Sequence, residues 1–129
     1  MVTLVLLPVL APLPMAVFAQ AHSKKVETSK TLLGKKVMIG HASHYSRSLN
    51  GSKTAIGTRY SNDKLTAASN FFKLRTYVKV TRLSNGKSVI VYINDRMHPS
   101  MAARGRVVDL SIAAADSLGF RGDVGVTRV

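Results

Sequence analysis

Asn85-Gly86 lies between two runs of strand-forming residues, Tyr77 to Leu83 and Ser88 to Ile93. Val, Ile, Tyr and Thr dominate both runs, and these side chains suit a pleated, half-buried surface. Asn-Gly accommodates the positive φ angles of a type I′ turn, so the stretch predicts a tight antiparallel hairpin. Its second strand ends in Asn94-Asp95-Arg96, which delivers a carboxylate directly after an apolar run. Asp95 is therefore the leading candidate for chemistry. The plainer alternative makes it a strand-ending Asx cap with Arg96 as its surface partner.

The flanking segments are short and punctuated. Lys35 to Tyr45 is strand-like, with Gly40 marking a bulge or a close backbone approach. Ser46 to Gly57 is turn chemistry, and Leu65 to Ala68 is either a strand end or one helical turn. Arg106 to Leu110 reads as a short buried strand. Ser111 is placed to N-cap a helix from Ile112 to Leu118 that stops at Gly119, and Asp123 to Val129 reads as a last strand. Asp109, at the strand-to-helix junction, reads as structural. Turns this frequent predict a small β-barrel rather than a βαβ sheet.

Val2 to Phe18 is apolar, carries Pro8, Pro12 and Pro14, and leads into Ala19-Gln20-Ala21. The expectation is a signal peptide over residues 1–21, cleaved before His22, with no stable membrane insertion afterwards; a membrane anchor is the competing reading. Residues 22–33 are polar and lysine-rich and read as a linker, followed by a single domain over residues 34–129. The chain has no cysteine, which excludes disulfides and thiolate metal sites. His41 and His44 are three apart and point to opposite faces of a strand, so no metal site and no cofactor are expected. The net charge of +13 favours polyanionic surroundings. Its bases are scattered and not interleaved with aromatic residues, which argues against a nucleic-acid partner.

Several blocks in one order carry a resemblance. They are Gly40-x-Ala42-Ser43-x-Tyr45, Gly51-x-x-Thr54-Ala55-x-Gly57, Leu65-Thr66-Ala67-Ala68, Asn85-Gly86 to Ile93-Asn94-Asp95-Arg96, and Gly105 to Ser111 followed by Ala113-Ala114-Ala115 and Leu118-Gly119. Together they resemble the rare lipoprotein A-like (RlpA-like) proteins of bacteria. That resemblance implies a six-stranded double-psi β-barrel with one or two short helices, a fold shared with expansins and barwin-like proteins. It also implies export to the periplasm or secretion and action on peptidoglycan glycan strands as a lytic transglycosylase; a monomer is expected.

Carried over residue by residue, the resemblance makes Asp95 the catalytic position, with Tyr45, Thr54, Thr58, Ser69 and Arg96 binding substrate. Thr58 stands where the family usually has Glu, Ser61 where it has Asp, and Ser69 where it has His. His98, in the loop after Asp95, is a candidate replacement for that histidine. A lytic transglycosylase needs no outside water, because the sugar's own 6-hydroxyl attacks, so one carboxyl group can act as acid and then as base. The alternative is a non-catalytic, expansin-like glycan-binding domain.

Overall fold

The computed structural model describes residues 27–32, 35–120 and 125–129. The expected signal peptide, residues 1–21, lies outside the described residues. In chain order the strands are β1 (Glu27–Leu32), β2 (Lys35–Ile39), β3 (His41–His44), β4 (Thr66–Ala68), β5 (Tyr77–Thr81), β6 (Ser88–Asp95), β7 (Arg106–Leu110) and β8 (Thr127–Arg128). Two short helices, α1 (Pro99–Ala103) and α2 (Ile112–Ser117), flank β7. Residues 27–32, read from the sequence as linker, instead pair with β2 as an antiparallel two-stranded sheet.

The other six strands form one sheet in the order β5-β6-β4-β7-β3-β8. β4 with β6 and β3 with β7 are parallel, and the remaining pairs are antiparallel. Just beyond β5, Leu83 N donates to Arg128 O of β8 at 3.0 Å, so the two edges of the sheet meet and the sheet curls on itself. Val78, Val80, Val91, Ile93, Val107 and Leu110 fill the interior, with Leu118 and Phe120 sealing it. At ~1.5–3 kcal/mol for each such side chain, this packing outweighs any local propensity. It also explains α2, too short to persist alone. Ala114 and Ala115 bury its inner face, Ser111 Oγ caps it by accepting from Ala114 N, and Gly119 ends it at φ +71°.

Two local features differ from the sequence reading, and one that it left open is decided. The hairpin turn is longer than a type I′ turn: Arg82 and Lys87 close it, and only Gly86 has positive φ. Asn85 is used otherwise, donating to Leu118 O and accepting from Lys87 N, which ties the turn to the end of α2. Residues 96–104, read as loop, contain α1, N-capped by the His98 ring and started by Pro99. Leu65 to Ala68, left open between strand and helix, resolves as the central strand β4.

Both parallel pairs carry a one-residue bulge. Ala67 pairs with Ile93 and Ala68 with Asp95, leaving Asn94 extra; His41 pairs with Arg106 and Ala42 with Val108, leaving Val107 extra. Consecutive buried residues, Ile93-Asn94 and Val107-Val108, mark the same two places. Gly40 is needed beside the second bulge, because a Cβ there would lie 2.6 Å from Val107 Cγ1 and 3.0 Å from Gly105 O.

Candidate active site

A bulge inverts the alternation of a strand, and here it re-aims two carboxylates. Ile93 and Leu110 both share the interior face with Ala67, whereas Asp95 and Asp109 both pair with Ala68 on the opposite face. Without the extra Asn94 and Val107, both acids would point into the apolar interior. The two Cα atoms flank β4 at two strand spacings, roughly 9–10 Å. Ser43 extends the same row from β3 and donates to Asp109 Oδ1 at 2.8 Å.

Above Ala68 lies a second, smaller cluster of Tyr45, Tyr60 and Met97. Tyr45 and Tyr60 stack with centroids 4.2 Å apart and planes 13° apart. Tyr60 is itself fixed by accepting from Ile112 N through its hydroxyl. The stack points the Tyr45 hydroxyl at Asp95 Oδ2, 2.6 Å away. Residues 51–60 form a small hairpin closed by Gly51 N to Tyr60 O and Thr54 N to Thr58 O, both 2.7 Å. Its tip brings Ala55 N to 2.9 Å from Asp95 Oδ1, which also accepts from Arg96 N at 2.9 Å. Asp95 thus accepts from one hydroxyl and two backbone amides contributed by three separate segments.

Burial, and then the hydrogen bond and charge of Asp95, push the Tyr45 phenol well above its ordinary range, so it remains a donor. Asp109 is also raised, first by burial; the Ser43 hydroxyl and the Arg106 charge partly offset this. Asp95 adds to the rise, so the two carboxylates sense each other across Ala68.

The expected substrate-binding residues divide into two groups. Tyr45 reaches Asp95 directly. Thr54 and Thr58 join through their hydroxyls at 2.9 Å and shape the tip that carries Ala55. Ser69 is fully buried, and its hydroxyl donates to Val107 O and accepts from Phe71 N, which leaves it off the open face. Arg96 turns its guanidinium to the carbonyls of Ser69 and Phe72, so it braces the segment after β4. Ser61 accepts from Asp63 N, and His98 faces Ser100 at the start of α1. Asp109, read as structural, lies on the same face as Asp95 and accepts from Ser43; the doubled Val107-Val108 marks the bulge that turns it there. A cleft of about 550 Å³ opens beside Tyr45, lined also by His44, Arg47 and Asp116, and Asp95 is not part of its lining.

A family model described as lytic transglycolase matches residues 37–129. Endolytic peptidoglycan transglycosylase RlpA of Pseudomonas aeruginosa is 46% identical over 92 residues, covering 71% of this chain and 26% of that protein. The protein of the same name from Pasteurella multocida is 44% identical over 108 residues, covering 83% and 35%. That from Neisseria meningitidis is 41% identical over 95 residues, covering 72% and 38%. The matches thus span about a quarter to two fifths of these relatives' own length. With a curled six-stranded sheet, two short helices and a match over nearly all of the described residues, the chain belongs to the lytic transglycolase family and carries its RlpA-like double-psi β-barrel domain.

Proposed function

We propose that this domain acts outside the cytoplasm on peptidoglycan glycan strands and cleaves them as a lytic transglycosylase, with Asp95 as the catalytic residue. The observation that carries this reading is the bulge at Asn94, which turns Asp95 away from the core and under three converging donors. In the first step Asp95 gives its proton to the glycosidic oxygen as the bond from C1 to that oxygen breaks. In the second it takes the proton of the 6-hydroxyl as that oxygen bonds to C1, which closes a 1,6-anhydro ring. No water is consumed, and Asp95 ends as it began.

Negative charge develops on Asp95 during the first step. The Tyr45 hydroxyl and the amides of Ala55 and Arg96 already point at the oxygens where it appears, so little reorganisation is needed. Tyr45 is a positioning residue in this scheme, because it acts through Asp95. Thr58 and Ser61 carry no charge near neutral pH, and this favours one second reading, a domain that binds glycan without cutting it. Incubating the full chain with purified glycan strands and weighing the products separates the two. Fragments ending in 1,6-anhydromuramyl residues support the enzyme; co-sedimentation without fragments overturns it.

A further inference from the structure

The three most exposed large apolar side chains among the described residues lie on one hairpin: Tyr77 (73%), Ile90 (57%) and Leu83 (54%). Tyr77 pairs with Tyr92 across β5 and β6, with ring centroids 5.0 Å apart. Ile93 N bonds Thr76 O, so the adjacent pair Tyr77–Tyr92 is a non-hydrogen-bonded pair, in which side chains stand closest. The bulge decides which way these rings face relative to Asp95. Tyr92 pairs with Thr66 and Asp95 with Ala68, two residues apart on β4, so Tyr92 and Asp95 share one face. A straight strand would have put residues 92 and 95 on opposite faces. With the bulge, the tyrosine row lies about 6–7 Å along the sheet from the Asp95 row.

We propose that Tyr77 and Tyr92 form a stacking platform that holds the glycan strand on the sugars next to the bond at Asp95. The proposal rests on the reading of Asp95 given above and extends that site along β6. An aromatic face is electron-rich and attracts the slightly positive C–H groups on the flat side of a pyranose ring, while a phenol at the rim bonds its hydroxyls. Tyrosines such as the exposed Tyr77 and the half-buried Tyr92 cost little entropy to order, since each has two side-chain torsions. Lys79, paired with Ile90 one row further out, places a positive charge beside the platform, suited to the carboxylates of muramyl sugars.

The test uses the full chain bearing Asp95→Asn, so that glycan is bound without being cut. Its affinity for purified peptide-free glycan strands is compared with that of the same chain bearing Tyr77→Thr and Tyr92→Thr, changes that keep strand-forming residues. The platform predicts about tenfold or greater weakening in the double variant, as loss of two aromatic stacks implies. Tyr77→Thr alone, at a position 73% exposed, weakens binding by a smaller factor, and Ile90→Thr leaves it unchanged. Unchanged affinity in the tyrosine variants overturns the platform alone. Equal loss from Ile90→Thr also overturns it, since the patch would then be only sticky. No glycan binding by the parent chain overturns the reading of the Asp95 site and the platform with it.

Discussion

Tyr45→Phe removes one oxygen and leaves the rest of the site standing. The ring keeps its 4.2 Å stack on Tyr60, so the cluster over Ala68 remains filled. What disappears is the 2.6 Å bond to Asp95 Oδ2. A hydrogen bond to a charged group is worth ~1.5–3 kcal/mol. If the bond acts on the charge that develops as Asp95 gives up its proton, the rate falls by about ten- to a hundredfold, at about 1.4 kcal/mol per factor of ten. The assay is the release of 1,6-anhydro-ended fragments from peptide-free glycan strands, followed over time by mass spectrometry and analysed for kcat and KM separately. The loss falls on kcat. Tyr45→Ala is the contrasting change: it empties the cluster and destabilises the domain by ~3–5 kcal/mol. A Tyr45→Phe protein with wild-type kcat refutes the positioning role. One with raised KM and unchanged kcat shows that the hydroxyl holds sugar instead.

Further outcomes follow from the surrounding contacts. Burial holds the Asp109 carboxyl above its ordinary value of 3.8, so the native state keeps a proton that the unfolded chain has lost. Asp109 therefore favours folding most at acid pH, and this contribution fades as pH rises through its raised value; urea midpoints of Asp109→Asn across the acid range should show that pH slope flattened. Ser69→Ala strips a donor from Val107 O and an acceptor from Phe71 N, and by urea unfolding it costs ~1–3 kcal/mol, with glycan affinity unchanged in the folded protein. Gly40→Ala forces a Cβ against Val107 and costs about 1–3 kcal/mol in the same measurement.

What was legible in the sequence was local. The strand runs on either side of Asn85-Gly86, the Ser111 cap and the Gly119 stop depend on neighbours within a few residues, and each is found where its chemistry places it. The turn itself departs from type I′ because Asn85 is recruited by Leu118 O, a contact 33 residues away. Asp95 was visible as a carboxylate at a strand end. Its surroundings were not, because Tyr45 and Ala55 reach it from segments 50 and 40 residues away, which only the folded chain brings together. The orientation of Asp95 and Asp109 turns on two bulges, and each leaves one faint trace, a pair of consecutive buried residues in a strand that otherwise alternates. Ser69 shows the converse. A small polar side chain beside a strand looks available on paper, yet it is fully enclosed because Val107 O and Phe71 N need partners.

The central claim is that Asp95 moves the proton in both halves of a water-free cleavage. Its most direct measurement compares the full chain with Asp95→Asn, an isosteric change that retains the acceptor facing Tyr45 or Ala55 but cannot give or take the proton. The account predicts wild-type binding to glycan strands and no 1,6-anhydromuramyl ends above background. Undiminished anhydro-ended products from Asp95→Asn would contradict it, as would wild-type products bearing ordinary reducing ends.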